Sequence, residues 1–79
     1  MRSQEFTIES TRYLIESETC GYACWNKLCD KVQKSLMTFQ ANVAAKSISM
    51  TATVMIDVEF NKVIYPIRLT INPQGNNFR

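Results

Sequence analysis

The cysteines are the residues whose type and spacing come nearest to a reactive or metal-binding site. Cys20, Cys24 and Cys29 lie within ten residues, and the chain of 79 residues contains no histidine. A structural zinc site normally takes four Cys or His ligands in two clusters; Glu18 could complete a set of four, but Cys-x3-Cys-x4-Cys is not a zinc pattern. An odd number of cysteines is also atypical of a secreted disulfide framework. We therefore expect reduced thiols that pack as small side chains, with a thiol or metal role for Cys20 and Cys24 as the least favoured alternative.

The missing histidine also excludes most routes to catalysis. Without imidazole there is no Ser-His-Asp or Cys-His nucleophile and no histidine base or metal ligand. The sequence has no P-loop, no Gly-x-Gly-x-x-Gly motif and no EF-hand spacing either. We therefore predict that the protein is not an enzyme and that it uses no cofactor and no metal ion.

Two carboxylates, Asp57 and Glu59, lie two residues apart in a segment of alternating polarity. In a strand they would point to the same side, with about 6.6 Å between their α-carbons. Paired carboxylates perform acid–base catalysis when a cleft separates their pKa values. This pair is predicted to lie on an open surface with Arg68 diagonal to Asp57, so we predict a solvated cross-strand ion pair.

Lys27, Lys31 and Lys34 have a spacing that places them on one face of a helix. A lysine stripe can follow a phosphate backbone, but no aromatic residues are interleaved with these lysines to stack on bases, and the net charge of the chain is only +2. A solvated helix face is therefore the preferred interpretation, and weak nucleic-acid binding through the three lysines is the alternative.

The alternation around the two carboxylates predicts a long β-hairpin. Apolar residues occupy the even positions of 48–60, with Met55 as an apolar exception on the other side, and the odd positions of 63–71. A two-residue turn at Asn61–Lys62 keeps the opposed apolar residues on one face. The predicted pairs are Phe60 with Val63, Val58 with Tyr65, Ile56 with Ile67, and Val54 with Leu69. In this register Pro66 falls at a non-hydrogen-bonded pair, so 63–71 is either an edge strand or one whose outer pairing is interrupted.

Residues 17–46 are predicted to form one amphipathic helix that covers the hairpin. Its core-facing stripe is Trp25, Leu28, Val32, Leu36, Phe39 and Val43, with Cys29 beside it. Ser17 or Thr19 could cap the start, whereas Gly21 costs about 1 kcal/mol inside a helix and allows a start near Tyr22. A helix of about 38 Å would match a strand of about 43 Å in length.

The N-terminal segment 4–15 is consistent with two structures, one long strand with a bulge or a small hairpin that turns at Ser10–Thr11. Residues 72–79 are predicted to be a flexible tail. The resulting fold class is α+β, a two-layer sandwich in which one long helix packs on an antiparallel or mixed three-stranded sheet, in the order β-α-β-β, with a short extra N-terminal hairpin as an option. A first strand beside 48–60 would run parallel to it. We treat 1–79 as a single domain.

The outer face of this sheet is the predicted binding surface. It is flat and low in charge, and its candidate residues are Thr51, Thr53, Met55, Ile64, Arg68 and Thr70. We predict a small protein-binding regulator or inhibitor that acts by occlusion of a partner protein, as phage and mobile-element inhibitors of host enzymes do. A chain this short also struggles to bury enough surface alone, which favours a homodimer. With no apolar run of about 18 residues and no leader pattern, a cytoplasmic location without membrane contact is expected.

Overall fold

One antiparallel sheet with one helix packed on it makes up the part of the chain that the computed structural model describes, residues 1–18, 21–38 and 49–73. The elements in chain order are β1 (Arg2–Ile8), β2 (Thr11–Ser17), α1 (Tyr22–Leu36), β3 (Ala52–Phe60) and β4 (Val63–Asn72). The strand order across the sheet is β1-β2-β4-β3. The α+β class is therefore confirmed, but the described sheet has four antiparallel strands rather than three, and the element order is β-β-α-β-β.

The β3–β4 hairpin has the register that the sequence predicts. Phe60 pairs with Val63, and the opposed apolar residues follow in step from Val58 with Tyr65 to Val54 with Leu69. Asn61 and Lys62 form the turn and both have positive φ, 55° and 64°. Positive φ at both central positions is the geometry of a primed turn, whose twist matches that of the flanking strands. The alternation and the turn residues together were sufficient to fix this hairpin.

Pro66 lies on a central strand and not on an edge. β4 pairs with β3 along its length, and with β2 from Asn72 as far as Arg68. β2 ends at Ser17, and Pro66 lies just beyond that end. No β2 residue therefore needs a hydrogen bond from the backbone N–H that proline lacks. Of the two alternatives for this strand, interrupted outer pairing is confirmed and the edge position is wrong.

The N-terminal segment is the hairpin and not the long bulged strand. It turns at Glu9–Ser10, one residue earlier than predicted, and both turn residues have positive φ, 47° and 72°. The register brings Phe6 opposite Tyr13, and their rings stack with centroids 5.0 Å apart. β2 runs parallel to β3 but is separated from it by β4. Neither strand of the first hairpin lies beside β3, so the condition under which a parallel pair was expected there is not met.

The helix is shorter than the predicted 17–46. Ser17 is the last residue of β2, and Gly21 is the N-cap of α1. At the other end, the backbone N–H of Met37 still donates to carbonyl oxygens of the last turn, but the helix ends at Leu36. Fifteen residues span about 22 Å, less than the roughly 30 Å of nine-residue β3, so the predicted match in length is wrong. Phe39 and Val43 lie outside the described residues.

The core lies between α1 and the face of the sheet that we call the inner face. Its buried apolar residues come from β2 (Tyr13 and Ile15), from α1 (Trp25, Leu28, Cys29 and Val32) and from β4 (Ile67, Leu69 and Ile71). The edge strands contribute only partly buried residues, such as Phe6 and Ile56. The predicted helix stripe is thereby confirmed as far as Leu36. The opposite side of the sheet is the outer face.

Candidate functional site

The predicted binding residues meet on one surface. On β3 and β4, alternate side chains point to the outer face, and the cross-strand pairs there are Thr70 with Thr53, Arg68 with Met55, Pro66 with Asp57, and Ile64 with Glu59. The hydroxyl oxygens of Thr53 and Thr70 lie 3.1 Å apart and share a hydrogen bond. Thr51 is exposed just before β3 begins. The structure therefore brings five of the six residues that sequence reasoning selected onto one face, and Thr51 lies one residue before β3.

The first hairpin enlarges this surface with residues that sequence reasoning missed. Leu14 of β2 lies opposite Thr70, and Glu16 lies opposite Arg68. Farther out, Nη1 of Arg12 lies 3.8 Å from Oε1 of Glu5 on β1. The available signal was the alternation of 11–17, which places Leu14 and Glu16 on the side opposite Tyr13 and Ile15 once the turn is known.

The outer face has two unlike halves. The half that contains the Thr53–Thr70 pair is polar and carries the Arg12–Glu5 ion pair. The other half, near the end of β2, carries large exposed apolar side chains, among them Met55 at 62% and Ile64 at 55%. Exposed apolar side chains on a flat surface are typical of protein contacts.

A notch interrupts the apolar half of the outer face because β2 ends at Ser17 while β4 continues toward its turn. The cavity there is about 100 Å³, large enough for a single side chain of a partner but not for a substrate of ordinary size. We call it the notch; it is lined by Met1, Glu16, Ser17, Glu18, Met55, Pro66 and Arg68.

The predicted ion pair between Asp57 and Arg68 is absent, although both residues lie in the described part of the chain. Arg68 is directly opposite Met55 on one side and Glu16 on the other, whereas Asp57 is opposite Pro66. The diagonal separation within the sheet exceeds that of a direct pair. Asp57 and Glu59 therefore lie as separate exposed carboxylates on an open surface, without the cleft that acid–base catalysis needs.

The three lysines lie on α1 and are exposed. Two of them have partners within the protein. Nζ of Lys34 lies 3.0 Å from Oδ2 of Asp30, and Nζ of Lys31 donates a hydrogen bond to the backbone carbonyl of Glu59 on β3. A cavity of about 560 Å³ lies beside them, between α1 and Phe60. The lysines therefore line a gap between the helix and the sheet.

The cysteines differ from one another. Cys29 is a free thiol that is 2% exposed, and burial raises its pKa from 9.0 to about 11, so it is protonated and unreactive at neutral pH. Cys24 is disulfide-bonded, so the expectation of a reduced thiol is wrong there, and it offers no thiolate to a metal ion. Cys20 lies outside the described residues. Within the described ranges no group of three or more His, Cys, Asp and Glu could hold a metal ion.

Comparison with known proteins adds no functional information. No protein-family model, no curated protein and no solved structure matches the chain. Among the described residues, no helix is long and apolar enough to cross a membrane.

Proposed function

We propose that the protein is a non-enzymatic, protein-binding regulator or inhibitor that acts by covering a surface of a partner protein with its outer face. The observation that carries the proposal is the exposure of Met55 and Ile64, 62% and 55%, on a flat face that no described element covers. An inhibitor of this type needs no catalytic residues, because occupancy of the partner surface is sufficient.

The arrangement of the outer face supports this mode of action. Met55 and Ile64 supply apolar area, and the notch between Met55 and Glu16 can receive one side chain of the partner. Threonine hydroxyls and the guanidinium of Arg68 supply hydrogen-bonding groups around that area. A central apolar anchor surrounded by polar groups is the usual composition of a binding surface.

The partner is either a different protein, as for the phage and mobile-element inhibitors of host enzymes, or a second copy of this chain. A homodimer through the outer face would cover Met55 and Ile64 and raise the buried fraction of a short chain. A cytoplasmic location is part of the proposal, and the Cys24 disulfide counts against it because disulfides are rare in reducing compartments. Nucleic-acid binding gains no support, since Lys31 and Lys34 already have partners within the protein.

Site-specific photo-crosslinking tests the proposal. A benzophenone amino acid replaces Met55 or Ile64 on the outer face, or Met37 as the control. Met37 has a similar exposure, 59%, but follows the end of α1. We expect the same partner to crosslink from both outer-face positions and not from Met37. A product of twice the 9.1 kDa chain mass would identify a second copy as that partner. Equal crosslinking from all three positions, or none, would contradict the use of the outer face.

A further inference from the structure

Four carboxylates lie around the exposed apolar side chains of the outer face. Two are on β3, where Glu59 is directly opposite Ile64 and Asp57 follows Met55 on the same side of the strand. The other two line the notch beside Met55. The four acidic residues, out of seven in the chain, are Glu16, Glu18, Asp57 and Glu59. More than half of the acidic residues therefore surround one apolar patch.

This half of the outer face has an excess of negative charge. Within the described residues, none of the four carboxylates forms an ion pair or a side-chain hydrogen bond, whereas Glu5 in the polar half is paired with Arg12. Among the described side chains of the apolar half and its notch, Arg68 is the only cation, which gives a net charge of −3. The whole chain carries +2, so the rest of it carries +5.

Three other cations lie near this half without pairing with its carboxylates. Nζ of Lys31 approaches β3 from α1, but it donates to the backbone carbonyl oxygen of Glu59 and not to the carboxylate. Met1 lines the notch, and Lys62 lies in the turn beyond the last cross-strand pair. Neither forms an ion pair within the described residues. The four carboxylates are therefore available to cations of another molecule.

The carboxylates of β3 repel each other in the free protein. Asp57 and Glu59 are about 6.6 Å apart between α-carbons, which is less than the Debye length of about 8 Å at physiological salt, so their repulsion is only partly screened. Both residues are exposed, so the core does not require either of them. Contact with a basic surface would replace this repulsion by attraction.

We propose that the outer face binds a partner protein whose contact surface is basic, with lysine or arginine side chains around one apolar side chain. This inference rests on the proposed function and names the chemistry of its partner. The apolar side chain enters the notch beside Met55 and Pro66, and the cations of the partner face the surrounding carboxylates. A second copy joined through its own outer face is disfavoured, because two-fold symmetry would bring two acidic surfaces together.

Titration of the isotope-labelled protein with a basic peptide, followed by amide NMR signals, tests the proposal. The probe is a short peptide of lysine and serine with one leucine at its centre, and its control has glutamate in place of lysine. We expect the lysine peptide to shift the signals of Glu16, Met55, Asp57 and Glu59 and to leave those of α1 unchanged. Binding should weaken as salt is raised from about 0.01 M to about 1 M, since the Debye length falls from about 30 Å to about 3 Å.

The glutamate peptide separates the contribution of charge from that of apolar contact. We expect it to produce no shifts on the outer face, because its carboxylates would approach four others. Equal binding of the two peptides, or no binding of the lysine peptide, would overturn the basic partner. Shifts of the same amides on raising the concentration of the free protein would mean that a second copy occupies the face, and would overturn it as well.

A matched pair of variants locates the charges that bind. Asp57→Asn removes a carboxylate from the outer face, and Asp30→Asn removes an exposed one from α1. Loss of one exposed ion pair should weaken the lysine peptide about two- to fivefold in Asp57→Asn and leave its affinity unchanged in Asp30→Asn. Asp57→Asn should be at least as stable to urea as the parent, since repulsion is relieved. Equal weakening in both variants would show attraction to the chain as a whole and overturn the assignment to the outer face.

A third variant, Met55→Ser, distinguishes failure of this proposal from failure of the outer-face function. We expect Met55→Ser and Asp57→Asn each to weaken the lysine peptide. A loss in Met55→Ser without one in Asp57→Asn would keep the outer face as the binding surface and refute the basic partner. Photo-crosslinking of one partner from Met55 and Ile64 would likewise stand if the lysine peptide failed to bind.

Discussion

The two faces of the sheet use the same strands and the same alternation, but they differ in what determines their composition. On the inner face, Ile15, Ile67 and Leu69 are 0–3% exposed and pack against Leu28 of α1, which is itself fully buried. On the outer face, Met55 and Ile64 are more than half exposed. Burial accounts for the apolar residues of the first set, and it does not account for those of the second.

This difference separates the apolar residues that folding buries from those that it leaves in water. Apolar side chains on the inner face are stabilised by removal from water, at about 25 cal/mol per Å². Met55 and Ile64 gain little of that stabilisation in the free protein, and polar side chains at either position would satisfy the fold equally well. Their exposure is the observation on which the proposed binding function rests.

The largest expected effect comes from placing a carboxylate on each face in turn. Leu69→Asp, or Ile56→Asp beside it, puts a charge against α1, and leaving it unpaired there should cost several kcal/mol and unfold the protein. Thr53→Asp places the same group on the outer face, where it stays in water. Urea unfolding followed by circular dichroism measures both. Because Ile56 is only partly buried while Leu69 is 3% exposed, Leu69→Asp is the stricter test.

Equal unfolding midpoints for Leu69→Asp and the parent would show that the assigned faces are interchanged. A large loss in Thr53→Asp would instead show that the outer face is covered in the free protein, for instance in a dimer. The two variants therefore test the comparison from both sides.

The sequence predicted the inner face better than the outer face, for a physical reason. Alternation over 48–60 and 63–71 with one turn between them leaves a single register, and Pro66 agrees with it. The helix stripe from Trp25 to Leu36 also follows from periodicity alone. Both signals arise from burial, because a buried face requires apolar residues at regular intervals along the sequence.

The features that the sequence did not predict, which are the first hairpin's turn and its share of the outer face, depend on how distant strands pair. β2 buries Thr11 and Ser17 on its inner side and exposes part of Leu14 on its outer side, so its alternation is weak. The Glu9–Ser10 turn lacks the glycine or asparagine that usually marks positive φ. Leu14 and Glu16 join the outer face only because β2 pairs with β4, and a pairing of distant strands leaves no local signal.

Measuring the free energy of unfolding against pH tests how well the inner face excludes water. Burial against the sheet raises the pKa of the Cys29 thiol from 9.0 to about 11. The native state therefore retains a proton that the unfolded state loses, and its stabilising contribution is fully present below pH 9 and falls as the pH rises toward 11. Unfolding free energies of the parent and of Cys29→Ala, measured across this range, isolate the effect from other titrating groups.

We expect the parent to lose more stability than Cys29→Ala between pH 9 and 11. Parallel pH dependences in the two proteins would mean that water reaches the thiol, and that the inner face is less well sealed by α1 than the 2% exposure of Cys29 indicates.

The smallest expected effect arises at the turn that joins the two strands and belongs to neither face. Lys62 has φ of 64°, a left-handed conformation that strains any residue with a β-carbon. Lys62→Gly removes that strain, and Asn-Gly is the preferred pair for this turn. The gain is partly offset because glycine loses more conformational entropy on folding, so the net stabilisation should be about 0.5–1 kcal/mol.

Lys62→Ala is the matched control, since it removes the same charge but keeps the β-carbon and should show no gain. Urea unfolding measures both variants, and binding through the outer face should be unchanged in each because no outer-face side chain is altered. A glycine variant no more stable than the alanine variant would show that the turn does not hold Lys62 at positive φ. The two-residue turn would then no longer support the register that separates the two faces of the β3–β4 hairpin.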